Sequence, residues 1–237
     1  MNKLLFTLFL WCLALGTQAQ NPLQVGLKAG GNYSNLAGDA SAYTNSRQSN
    51  SLYLRTDKVG GMFGLQAGVF LALPLSDRFS LQPEVLYSGK GYSFTQSRQS
   101  VETFGDQVEE EYKFRSHYLD VPLLAQARVG SFYLEAGPAL SFLVAAKEDL
   151  TQTFSYPEWS EKTTEERHTS TSSTAGTRRV SLGYALGAGY ALPNGVGIGL
   201  RYSGDFTSLA ENEYNGETPN VRNSVVQVSL SYIFWKR

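Results

Sequence analysis

The stretch Arg179–Leu192, RVSLGYALGAGYAL, sorts its residues by parity. Val180, Leu182, Tyr184, Leu186, Ala188, Tyr190 and Leu192 form one phase. Arg179, Ser181, Gly183, Ala185, Gly187, Gly189 and Ala191 form the other. A helix brings residues three and four apart onto one face and would mix the two sets. A strand turns successive side chains to opposite faces and keeps them apart, so the period of two predicts a β-strand with one greasy and one compact face.

Working outward, the same period recurs in 23–33, 61–73, 78–92, 114–128, 131–146, 196–206 and 224–235. With 179–192 this makes eight strands, interrupted locally by Pro83, Pro122 and Pro138. The connections alternate in length. Short ones fall at Pro74–Asp77, Arg128–Ser131 and Pro193–Gly195, and long polar ones at 34–59, 94–112, 147–177 and 207–222. An up-and-down barrel puts every second connection at the same end, so all short turns collect on one side and all long loops on the other. The expectation is an all-β fold, an eight-stranded antiparallel up-and-down transmembrane β-barrel.

The compact phase decides which face meets lipid. A soluble barrel turns its apolar phase inward and covers its outside with solvated charges. Here the second phase is mostly Gly, Ala, Ser and Gln. Its few charges nearly balance: Lys28, Lys90, Arg179 and Arg201 against Glu84, Asp120, Glu135 and Asp205. Small residues and paired ions suit the narrow lumen of an eight-stranded barrel, where an unpaired charge is costly. These eight residues are expected to form a lumenal ion-pair network. Tyr33, Tyr87, Tyr190, Tyr202, Tyr232 and Phe234 lie in the apolar phase near strand ends, where interfacial girdles sit, whereas Tyr118 shares its phase with Asp120.

The N-terminus reads as an export signal. Lys3 is followed by an apolar run from Leu4 to Leu15, and Thr17-Gln18-Ala19 has the small-x-small form of a cleavage site. The expected division is a signal peptide over 1–19 and a barrel domain over 20–237. The only cysteine, Cys12, lies within the signal, so no disulfide is expected in the mature chain. Beyond residue 15 no apolar run approaches the roughly 18 residues of a membrane helix, but a barrel strand needs only about 9–11.

The segments Leu81–Gly91 (LQPEVLYSGKG), Tyr118–Leu124 (YLDVPLL), Tyr133–Pro138 (YLEAGP) and Ser229–Phe234 (SLSYIF) resemble the Bacteroidetes outer-membrane β-barrel family often called PorT-like, with small barrels of the OmpA and OmpX kind. The resemblance spans nearly the whole mature chain. It implies residence in the outer membrane, a last strand ending on an aromatic residue, and a namesake role in secretion and gliding. Here Trp235, Lys236 and Arg237 follow Phe234, a departure from that ending.

Charged residues make up 17% of the chain and the net charge is −1, which excludes the basic surface that grips nucleic acid. Gly187-Ala188-Gly189 lacks the third glycine of a dinucleotide fingerprint and is followed by no helix. The two histidines, His117 and His168, are far apart, so a metal site built on His and Cys is not expected. Ser116-His117 invites comparison with lipid-modifying hydrolases, but His117 has the outward phase of a rim residue. Glu109-Glu110-Glu111 reads as a solvated acidic loop. Phe154, Tyr156 and Trp159, with Glu148 and Asp149 in the third long loop, are the candidate recognition residues.

The expectation is therefore a monomeric, non-enzymatic outer-membrane protein without cofactor. Its partners would be outer-membrane lipid and lipopolysaccharide, together with envelope or secretion-complex proteins. Its role would be structural, adhesive or within a secretion complex. The alternatives are an outer-membrane lipid-modifying enzyme and a soluble periplasmic ligand-binding barrel.

Overall fold

The computed structural model describes residues 22–40, 55–99, 107–157, 162–174, 176–210 and 219–236. The proposed signal 1–19 and Trp159 lie outside the described residues. The elements are nine strands: β1 (Gln24–Gly38), β2 (Arg55–Pro74), β3 (Phe79–Gln99), β4 (Gln107–Val129), β5 (Phe132–Pro157), β6 (Lys162–Ser172), β7 (Val180–Ala191), β8 (Val196–Asp205) and β9 (Val221–Lys236). No helix among the described residues is long and apolar enough to cross a membrane.

Eight of the strands close a ring. Each of β1 to β5 pairs antiparallel with the next, β5 pairs with β7, β7 with β8, β8 with β9, and β9 returns to β1. The ninth, β6, stands outside the ring. It pairs with the outer half of β5, Lys147–Pro157, after β7 has left that strand at Phe142. Between the two partners the β4–β5 register slips, His117 facing Ala145 and Tyr118 facing Leu143. A bulge of this kind bends the strand that carries the extra residue.

At the short-turn end, Gly130 (φ 61°) and Gly195 (φ 90°) occupy the left-handed region that tight hairpins require. The Asn194 side chain accepts the Val196 amide at 3.1 Å in the second of these turns. At the other end the strands outrun the sequence expectation. β1 continues to Gly38, β3 to Gln99 and β5 to Pro157, while β2 begins at Arg55 and β4 at Gln107. Much of what reads as loop in 34–59, 94–112 and 147–177 is thus paired sheet.

Side-chain direction follows the parity rule. Leu182, Leu186, Val228 and Leu230 point outward, with 45%, 51%, 52% and 62% of their surface exposed. Lys28, Gln66, Gln82, Glu84, Gln126 and Arg201 are buried in the lumen. On β5 the outward apolar residues run from Phe132 to Val144, long enough to cross a hydrocarbon core. Above the level of Tyr33, Tyr87 and Tyr202 the lumen changes character. Leu36, Tyr92, Phe94, Phe114 and Val221 pack with Leu209 and Ala210 into an apolar plug. The plug's rings stack in a row, Tyr92 on Phe114 at 4.8 Å and Phe94 on Tyr112 at 4.7 Å. The chain after β8 folds over the mouth to supply Leu209, whose amide donates to the Val221 carbonyl at 2.6 Å.

Candidate functional site

The ring brings four charged side chains from four strands to one level of the lumen. Lys28 on β1 lies 2.5 Å from Glu84 Oε1 on β3. Arg201 on β8 grips the same carboxylate with two donors, Nη1 to Oε2 at 2.8 Å and Nη2 to Oε1 at 3.0 Å. Its Nε donates to Glu135 Oε1 on β5 at 2.7 Å. Gln82 Nε2 adds a bond to Glu84 Oε1 at 2.6 Å, and Gln126 Nε2 one to Glu135 Oε2 at 3.0 Å. All four carboxylate oxygens therefore accept hydrogen bonds, and neither acid is left free to act as a base. Two cations against two anions leave this level neutral, which buried ions require.

Local sequence makes room for the cluster. A Cβ at Gly187 would stand 2.8 Å from Glu135 Oε1, so only glycine admits the carboxylate there. Gly199 plays the same part beneath Tyr133, whose hydroxyl would lie 2.8 Å from an added Cβ.

A second group lies nearer the long-strand end. Lys90 Nζ meets Asp120 Oδ1 at 2.8 Å and sits 4.7 Å above the Tyr118 ring, while Ser141 donates to Asp120 at 2.6 Å. Asp205 Oδ2 accepts from Asn223 Nδ2 at 3.0 Å. Arg179 is not brought to either group. It lies exposed in the bend before β7, outside the ladder whose alternation would have turned it inward. The helpers Gln82, Gln126, Ser141 and Asn223, and the Tyr118 ring, go unnoticed in a search for charges alone. Their inward parity was the available signal.

The remaining candidates separate. Ser116 and His117 are neighbours on a strand and face opposite sides of the wall, so they share no site. His117 Nδ1 instead meets the Tyr87 hydroxyl at 2.6 Å, the rings stacked 5.7 Å apart. Glu110 points inward, bound by Tyr112 and Gln152, whereas Glu111 points outward to Lys113 at 2.8 Å. The acidic triplet is thus divided between two faces. His168 Nδ1 lies 3.1 Å from the Thr151 hydroxyl on the outer face of the β5–β6 hairpin. On that face Asp149 bridges Arg115 at 2.7 Å and Lys147 at 3.2 Å. The Ser170 hydroxyl, then Lys147, hold the Asp149 carboxyl below its usual range. Phe154 is half-buried on β5, opposite Val108 and Glu165 rather than on a loop tip. The side chain of Tyr156 lies outside the described residues, as does Trp159. Among the described residues no group of three or more His, Cys, Asp or Glu is placed to hold a metal ion.

A closed ring with lipid-facing apolar residues and a charged, filled lumen accords with the sequence-family comparison, in which residues 18–211 match the model described as the outer membrane protein beta-barrel domain. The chain belongs to this family. It is an outer-membrane β-barrel protein. Among solved structures it is similar to Neisserial surface protein A, at 11% identity and a TM-score of 0.39, covering 89% of this chain and 97% of that one. The attachment invasion locus protein Ail of Yersinia pestis gives 12% identity and a TM-score of 0.39, covering 91% and 100%. The outer membrane protease OmpT from Escherichia coli gives 11% and 0.36, covering 92% and 98%. No protein of curated function matches the sequence.

Proposed function

We propose that this outer-membrane barrel is a non-enzymatic recognition protein, exported by the segment 1–19, whose lumen is closed and whose binding surface is the sheet that rises beyond the membrane. The observation that carries the reading is the continuation of β3, β4 and β5 past the Tyr87–His117 level. There they remain paired from Ser88/Tyr118 to Gln99/Gln107, and β6 is added at the side. An apolar plug inside and Arg115, Asp149, Lys147 and His168 outside make this a rigid platform rather than a set of loose loops. Rigid sheet presents side chains to a partner with little ordering cost. The lumen below is crossed by the Lys28–Glu84–Arg201–Glu135 cluster, which disfavours conduction. The saturated carboxylates and the separated Ser116 and His117 disfavour hydrolysis. Outer-membrane lipid around the belt and envelope or secretion-complex proteins on the platform are the partners this reading assigns. The resemblance to the PorT-like family favours the secretion complex.

The test uses the absence of cysteine after Cys12. Ser170→Cys in intact cells should react with a membrane-impermeant maleimide, and Ser131→Cys should react only after the envelope is opened. A photo-crosslinker at Arg115, which bridges Asp149 on that face from β4, should then give a discrete adduct that is lost when the hairpin 148–171 is deleted, while the barrel still shows heat-modifiable mobility. Reaction of Ser131→Cys alone, channel steps in planar bilayers, or an adduct indifferent to the deletion would refute the reading.

A further inference from the structure

We propose that the short-turn mouth of the barrel is an oxyanion-binding site built on Arg128. Two adjoining cavities open there, of about 240 and about 200 Å³, and both are lined by Gln24 and Arg128. The larger also takes Lys28 and Lys236 into its wall and has no carboxylate among its lining residues. Lys28 is already matched by Glu84, so Arg128 and Lys236 supply two positive charges that have no ion-pair partner among the described residues.

Arg128 keeps donor capacity free. Arg128 Nε is buried without a hydrogen-bond partner, and the guanidinium makes one long contact, Nη2 to Gln126 Oε1 at 3.5 Å. It has no ion-pair partner among the described residues. The Ser80 hydroxyl, buried on the wall of the smaller cavity beside Arg128, is a second unpartnered group. Asp77 is the one acid on that wall and has interactions of its own. Buried donors are ordinarily satisfied, and an arginine offers its Nε and an adjacent Nη as a side-on pair matching two oxygens of one anion. The geometry therefore fits a phosphate or carboxylate group. At about 240 Å³ the larger cavity falls below the roughly 300–1,000 Å³ of pockets that enclose whole drug-sized ligands. It takes a free small anion, or the charged end-group of a larger molecule standing outside the mouth.

The position is separate from the platform at the opposite end, so the two readings fail independently. Refolded barrel in detergent is titrated calorimetrically with inorganic phosphate, glycerol phosphate and acetate at constant ionic strength. Saturable binding of at least one is expected. Phosphate against acetate distinguishes the two oxyanions, and glycerol phosphate binding at least as tightly as inorganic phosphate identifies an end-group site. Arg128→Gln should weaken binding at least about tenfold, the scale of a lost charged hydrogen bond. Ser80→Ala should weaken it severalfold, and Lys113→Gln at the far end should leave it unchanged. If Arg128→Gln fails to give the heat-modifiable form, Arg128→Lys replaces it: the charge remains, the side-on pair is lost, and binding must still fall severalfold. No saturable binding by any of the three anions, or undiminished affinity in the folded Arg128 variant, overturns the proposal.

Discussion

Strand β3 carries Glu84 and Val85 at one level and Phe94 and Thr95 ten residues further on, and the two pairs are mirror images in polarity. Glu84 is 2% exposed and Val85 43%, charge inside and hydrocarbon outside; Phe94 is 1% exposed while Thr95 faces outward among polar neighbours. The strand does not change phase between them, since 84 and 94 both point inward. What changes is the medium around the barrel. Neighbouring strands invert at the same height: Lys28 and Leu27 give way to Leu36 and Asn35 on β1, and Gln227 and Val228 to Val221 and Arg222 on β9. The crossover is marked by Tyr33, by the Tyr87–His117 stack and by Tyr202 bonded to Ser224 at 3.0 Å. One backbone period thus serves two solvents. Below the crossover the lumen is held by charge pairing, and above it by hydrophobic packing.

The largest test removes the charge on the lower level. Glu84→Leu strands Lys28 and leaves Arg201 only Glu135, at a level where both cations are buried. Breaking a buried pair from one side costs about 3–5 kcal/mol, so urea unfolding in micelles should show a loss of that size or failure to reach the heat-modifiable form. Adding Lys28→Met should restore most of the loss, because Arg201 and Glu135 then remain as a neutral pair. A single variant as stable as wild type would mean that the cluster does not hold the lumen. In the upper level the corresponding change is Phe94→Ala, which empties the centre of the stacked row with Tyr112 and Phe114. Deleting a buried phenyl ring costs about 3–5 kcal/mol where the site cannot collapse. Because that plug lies above the membrane belt, the loss should appear as faster hydrogen exchange in 92–96 and 110–114 while the lower barrel keeps its mobility shift. Equal loss of protection along the whole of β3 would show that the two levels unfold as one.

The same inversion explains what could be read from the sequence. RVSLGYALGAGYAL declares its strand because its outward side is uniformly apolar, and the eight-membered ring follows from repeats of that pattern. The upper sheet keeps the period, but Tyr92, Phe94 and Gln96 alternate with Ser93, Thr95 and Ser97 and resemble a loop when lipid-facing residues are sought. β6, KTTEERHTSTS, has no apolar face at all; its strand conformation comes from pairing with β5, which is tertiary. Parity places Lys28, Glu84, Glu135 and Arg201 on the inner phase. Which of them meet depends on register around the ring, and Arg201 and Glu84 are 117 positions apart. Arg179, one residue ahead of β7, shows where parity stops applying: outside the ladder nothing fixes the direction of a side chain.

The outer faces offer a smaller effect and the cleanest contrast. Leu186 is midway along the apolar belt of β7, and Leu186→Lys moves a charge into hydrocarbon, at a cost of about 2–4 kcal/mol near the midplane. Thr95→Lys places the same side chain on the same outer surface, above the crossover and directly opposite Glu111 on β4. It is surrounded by water there and gains a cross-strand partner of opposite charge, so stability should stay within about 0.5 kcal/mol of wild type. The two lysines differ chiefly in the medium they enter, and comparing their unfolding midpoints in liposomes reports on that medium. A Thr95→Lys barrel destabilised as far as Leu186→Lys would put residue 95 inside the bilayer, and the boundary drawn at Tyr87 and His117 would have to move outward by at least eight residues of β3.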